Sequence, residues 1–168
     1  VYIDYTYLRF MSGSQQVNGT SRLQTAKVYQ AATPTVFETT TYHYENANDM
    51  YLLTGITDPR GIRYATFTYD AYRRVTVSEH ITTNGTNTND RYTFSYDAVT
   101  GKRTITNPLG KSATYTYAKV AGVRQATAID GVASTNCPAS SALTTYDTKA
   151  RPDIETDEEG RQTKYIRN

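Results

Sequence analysis

Apolar and polar residues alternate one by one in several short stretches of this chain. In Arg91-Tyr92-Thr93-Phe94-Ser95-Tyr96 the aromatics 92, 94 and 96 share one side, and Thr93 and Ser95 share the other. In Tyr64-Ala65-Thr66-Phe67-Thr68-Tyr69, residues 65, 67 and 69 point one way and 64, 66 and 68 the other. A period of two predicts half-buried strands rather than helices. Shorter runs of the same kind follow, Arg74-Val75-Thr76-Val77-Ser78 and Lys102-Arg103-Thr104-Ile105-Thr106. No segment sustains a helical period; the stretch Arg22–Gln30 reads equally as helix or strand.

Turn chemistry separates these runs. An aspartate often follows the first strand of a pair, and its carboxylate can accept a bond from the backbone two residues on. Asp58-Pro59-Arg60-Gly61, Asn107-Pro108-Leu109-Gly110 and Asp157-Glu158-Glu159-Gly160 form a second kind of turn. Where proline stands second it fixes φ, and the final glycine allows φ > 0. The order strand, tight turn, strand, tight turn predicts stacked antiparallel hairpins. Longer connections are expected near 11–23, 82–90 (with Asn84-Gly85 inside) and 131–142, where Ser, Asn, Gly and Pro collect.

The pattern repeats. An aromatic, a small polar residue, a tyrosine and often an acid recur as Tyr42-His43-Tyr44-Glu45, Phe67-Thr68-Tyr69-Asp70 and Phe94-Ser95-Tyr96-Asp97. Tyr115-Thr116-Tyr117-Ala118 and Thr144-Thr145-Tyr146-Asp147 continue it, with a near match at Tyr5-Thr6-Tyr7. The second tyrosines stand 25, 27, 21 and 29 residues apart. Repeats at this period indicate one supersecondary unit used many times.

Composition agrees with strands. Tyrosine occurs 16 times, phenylalanine four times and tryptophan never, and tyrosine with threonine suits a pleated surface. The 18 basic and 16 acidic residues leave a net charge of +2; with no basic stripe, nucleic acid is not an expected partner. No apolar run is long enough for a membrane helix. The start Val1-Tyr2-Ile3-Asp4 has neither the basic nor the apolar region of a signal peptide, nor a methionine, so a piece of a longer protein is expected.

Candidate chemistry is sparse. The single cysteine, Cys137, excludes an internal disulfide and a cysteine metal site. His43 and His80 read as strand-face residues, and His80 and its neighbour Glu79 face opposite ways. The acidic run Asp153–Glu159 lacks the glycine and alternating-acid spacing of calcium loops and reads as a solvated turn. Asn18-Gly19-Thr20 and Asn84-Gly85-Thr86 fit the glycosylation signal. No catalytic, cofactor-binding or metal-ligating residue is expected. The tyrosines either fill a core with their hydroxyls at its edge or present stacking surfaces for sugars or a protein.

These residues resemble the RHS/YD-repeat family, whose pattern is a glycine, several residues, Tyr-x-Tyr-Asp, a short gap, then Gly-Arg and a hydrophobic residue. The match is good at 57–75, 92–117 and 144–168 and looser over 1–56. Arg73 stands where the turn glycine is expected, Ala118 where the acid is and Arg167 where the second tyrosine is. The resemblance implies an all-β fold of antiparallel hairpin repeats in a curved or spiralling sheet, as one segment of a shell. It implies repeat-defining roles for Tyr42, Tyr44, Phe67, Tyr69, Asp70, Phe94, Tyr96, Asp97, Tyr115, Tyr117, Tyr146 and Asp147. Asp58, Pro59, Gly61, Pro108, Gly110 and Gly160 would make the turns. It further implies a secreted or cell-surface bacterial location and a structural, non-enzymatic role with no cofactor. The partners would be the rest of a longer repeat protein or identical copies, and an enclosed toxin domain or a surface glycan. A sugar- or protein-binding module and a filament built by strand addition at open edges are the alternatives.

Overall fold

A computed structural model describes residues 1–9, 11–12, 15–16, 21–30, 33–82, 87–135 and 137–167, with backbone alone at 11–12, 15–16, 33–37, 82 and 87–89. Both candidate glycosylation signals, Asn18-Gly19-Thr20 and Asn84-Gly85-Thr86, lie outside the described residues. The fold is all-β. Among the described residues thirteen strands succeed one another in sequence order in an antiparallel sheet, and two further strands pair apart from it.

The chain divides into two compact units, Val1–Arg91 and Tyr92–Asn168. In the first, β1 (Tyr2–Leu8) pairs with β4 (Arg22–Gln30), and the two-residue strands β2 (Met11–Ser12) and β3 (Gln15–Gln16) pair between them. β5 (Thr33–His43), β6 (Gly55–Thr57), β7 (Arg63–Tyr69) and β8 (Val75–Thr82) follow as successive antiparallel neighbours. The ambiguous stretch 22–30 is thus a strand. β9 (Asn87–Tyr96) begins in this unit and ends in the second.

The second unit continues with β10 (Arg103–Thr106), β11 (Ser112–Val120), β12 (Val123–Gly131), β13 (Ser140–Tyr146), β14 (Pro152–Thr156) and β15 (Gln162–Lys164). β9 and β13 start at Asn87 and Ser140, inside stretches expected as connections. Register sorts the side chains by face. Arg103 stands opposite both Tyr96 and Tyr115, and Ile105 opposite Phe94 and Ala113. The other face carries hydroxyls, with Thr104 Oγ1 bonded to Thr114 Oγ1 at 2.9 Å and Thr106 Oγ1 to Ser112 Oγ at 2.7 Å. The first unit repeats such pairs at Thr6–Thr25 and Thr68–Thr76.

Five of the tight turns share one geometry. In the turn opened by Asp70, the Asp70 N–H donates to the Arg74 carbonyl and the Arg73 N–H donates to the Asp70 carbonyl, at 2.9 and 3.0 Å. The same two bonds close the turns opened at Asp58, Asn107, Asp147 and Asp157. Each places its fourth residue at positive φ: Gly61, Arg73, Gly110, Ala150 and Gly160. Three are glycine, which adopts that conformation without steric cost. Arg73 (φ 65°) and Ala150 (φ 59°) adopt it regardless, so the missing glycine at 73 leaves the turn unchanged. A left-handed L-residue costs about 1–2 kcal/mol. Ala150→Gly is therefore expected to stabilise the protein by about 1 kcal/mol, after allowance for the backbone entropy of glycine; urea unfolding checks it.

Most hairpins also absorb one extra residue. Register shifts fall just before Tyr7, Tyr69 and Tyr117 and between Thr144 and Tyr146, the signature of a bulge in the facing strand. The β9–β10 pair has no shift across Tyr96. There the turn itself is one residue longer, closed by the Asp97 N–H on the Lys102 carbonyl, with Gly101 at φ 70°. Where Ala118 replaces the acid, β11 runs on to Val120. The chain then reverses through Ala121-Gly122, both at positive φ, in a two-residue hairpin turn.

Very little is enclosed. Ala65 is the one buried hydrophobic side chain and Asp49 the one buried charged side chain among the described residues.

Candidate functional site

The motif residues occupy recurring places. Asp58, Asp70, Asp147 and Asp157 each use Oδ1 to accept two backbone N–H groups, two and four residues on, at 2.8–3.1 Å. Asn107 does the same with its amide oxygen, toward Leu109 and Lys111. Oδ2 of three of these aspartates then takes the guanidinium four residues on: Arg74 at 2.7 Å, Arg151 at 2.8 Å and Arg161 at 2.6 Å from Nε. Asp58 takes Arg60 instead. Asp97 accepts the Thr100 hydroxyl and the N–H groups of Val99 and Thr100. Pro59 and Pro108 follow the first residue of their turns and supply its fixed φ.

These bonds favour the charged carboxylate. The backbone N–H of Arg151, then its guanidinium, hold the Asp147 carboxyl down at about 2. The Arg161 guanidinium lowers Asp157, and the Thr100 hydroxyl lowers Asp97. A pKa depressed on folding gives stability that is complete above the unfolded value of about 3.9 and lost as pH falls through the folded one. Stability is expected to be flat at neutral pH and to fall between about pH 4 and pH 2. Asp147→Asn keeps the backbone acceptor, as Asn107 does, and should flatten that fall; acid titration of thermal midpoints for both proteins checks this.

The tyrosines tie neighbouring hairpins together. Tyr69 Oη donates to the Leu53 carbonyl and Tyr146 Oη to the Ala126 carbonyl, both at 2.7 Å. The two are the same motif position, and each bond reaches back beyond its own hairpin. Burial raises the Tyr69 phenol above its ordinary value. Either Tyr→Phe change should cost about 1 kcal/mol, the net worth of one such bond; comparing the two variants in urea checks that the positions are equivalent. Tyr42 stands opposite Ile56. Tyr44 lies under Arg22, with Cζ 4.6 Å from the ring centre.

Tyr96 and Tyr117 share one arginine. Arg103 Cζ lies 5.7 Å from the centre of Tyr96 and 5.1 Å from that of Tyr117, and Arg124 lies 5.8 Å from Tyr117. Phe94, Tyr96, Arg103, Ile105 and Tyr117 line a cleft of about 250 Å³. Sequence reasoning marked the two tyrosines and Phe94 but neither arginine. The signal available was register, because a residue six after Asp97 returns opposite Tyr96.

The remaining candidates are engaged locally. His43 Nε2 is 2.7 Å from the Thr57 hydroxyl, and His80 Nδ1 is 3.2 Å from Asp90 Oδ2. Glu155 accepts the Tyr165 hydroxyl at 2.7 Å, and Glu159 joins Asp157 on Arg161, so the acidic run 153–159 is spread over β14 and its turn. Cys137 is half-buried in an isolated bridge with Ser134. Among the described residues no three His, Cys, Asp or Glu side chains gather as metal ligands, and no helix is long and apolar enough to cross a membrane. No protein-family model and no curated protein matches the chain.

Proposed function

We propose that this chain is a structural segment of a secreted or surface-exposed repeat protein of the RHS/YD kind, contributing to a β-sheet shell that encloses or displays a toxin or partner. One observation carries the reading. The same hairpin recurs with an aspartate-capped turn and, at Tyr69 and Tyr146, a hydroxyl tie to the hairpin before it, while almost no side chain among the described residues is enclosed. A stacked repeat needs neighbours to bury its faces; a compact catalytic domain needs a filled core beneath its site. The role is architectural rather than enzymatic, and the partners are further repeats and whatever the shell holds.

Electron microscopy of the full-length product of the gene that encodes this chain tests it. The expected image is a hollow wall with flanking YD-type hairpins and enclosed density. A single compact domain with a filled core, or flanking sequence without such hairpins, would overturn the reading.

A further inference from the structure

Arg103 differs from six other arginines here. Arg60, Arg63, Arg73, Arg74, Arg151 and Arg161 each pair with a carboxylate. Arg103 and Arg124 have neither an ion pair nor a hydrogen bond among the described residues, yet both guanidiniums lie on the ring of Tyr117. Two cations converging on one ring repel each other, and neither is neutralised. Attraction of the cation to the ring spends no hydrogen bond of Arg103, so its in-plane N–H fork stays available. That fork matches a carboxylate bidentately. The cleft beside it is walled by the rings of Phe94, Tyr96 and Tyr117 and by Ile105. At about 250 Å³ it is smaller than the usual range of roughly 300–1,000 Å³ for drug-sized ligands, so it suits one residue of a longer chain.

We propose that Arg103 and Arg124 form a subsite for an acidic sugar, with the uronate carboxylate on the Arg103 fork and the pyranose ring against the aromatic walls. Arg124, more exposed, supplies long-range attraction and salt sensitivity. This site does not depend on the shell reading, since it could serve an isolated module or a wall equally.

The test is titration of the folded protein, followed by amide chemical shifts, with an oligouronate, a neutral hexose oligomer of equal length and poly-glutamate. The oligouronate is expected to bind at low salt, weaken as salt rises, and shift residues around 94–96, 103–105 and 117. Arg103→Gln should weaken it roughly tenfold or more, the loss of a bidentate charged pair. Arg103→Lys, which keeps the charge and loses the fork, should fall between. Arg60→Gln should change nothing. Shifts in the wild-type protein keep the assignment testable if Arg103→Gln misfolds. Absence of binding, equal binding of the neutral oligomer, shifts confined elsewhere or a well-folded Arg103→Gln of full affinity would each overturn it. Poly-glutamate binding as tightly as the oligouronate would overturn the sugar assignment.

Discussion

Gly55→Ala is expected to destabilise the first unit by about 2 kcal/mol, although alanine ordinarily improves a strand. A Cβ at Gly55 would fall 2.3 Å from Arg63 Nε and 2.6 Å from its Cζ, closer than any real contact. The tip of an arginine usually swings aside cheaply. Here it is held: Nη2 donates to the Thr54 carbonyl at 3.0 Å, and Nη1 reaches Glu45 at 3.0 Å. Overpacking costs about 1–3 kcal/mol, and the displaced hydrogen bond about 1 kcal/mol. Against this stands a gain of roughly 0.5–1 kcal/mol from leaving glycine. The steric loss wins. A double-mutant cycle with Arg63→Ala isolates the cause, because without that guanidinium the new methyl has room. The coupling should exceed about 0.5 kcal/mol; additive losses would mean that the damage lies elsewhere.

Asp49→Ala is expected to cost about as much, for a different reason. Asp49 is 8% exposed, with Oδ1 accepting the Tyr51 N–H at 2.9 Å and Oδ2 accepting Arg73 Nε at 2.7 Å. Hydrogen bonds to a charged group are worth about 1.5–3 kcal/mol, and the arginine's 71% exposure places its share at the low end. The net expectation is about 2 kcal/mol, with Asp49→Asn less severe because an amide keeps the bond to Tyr51. The pair also accounts for an arginine in a left-handed turn position: its contact with Asp49 offsets the strain at φ 65°. Arg73→Gly should thus be nearly neutral in the wild-type protein. In the Asp49→Ala background it should stabilise by about 1 kcal/mol, as Ala150→Gly does unaided. Urea unfolding of the four proteins measures this, and an equal effect of Arg73→Gly in both backgrounds would rule out the offset.

The legible parts of the structure are those whose causes are local. Alternation around Phe67 and Phe94 marked strands, and an aspartate followed by glycine or arginine marked turns, because both signals act within a few residues. Arg22–Gln30 stayed ambiguous alone; pairing with β1 and β5 makes it a strand. The bulges before Tyr69 and Tyr117 were invisible, since an extra residue in the facing strand leaves the tyrosine strand's own alternation intact. The Asp49–Arg73 pair, the Arg63 tip beside Gly55 and the approach of Arg103 and Arg124 to the Tyr117 ring all join residues at least seven apart. Their neighbours in sequence carry no trace of them.

One feature bears on how such a chain changes over generations. Several hairpins accommodate a surplus residue, each in its own place: in the strand facing Tyr69 or Tyr117, or in the loop after Asp97. With so little enclosed among the described residues, such a shift of position forces no repacking of a shared interior there. A small insertion or deletion that disrupts an ordinary globular domain is a local edit here, felt by one hairpin and the strand beside it. Length variation between successive tyrosines is accordingly the change this architecture should tolerate best, and the tyrosine spacings within the chain already differ, at 25, 27, 21 and 29 residues.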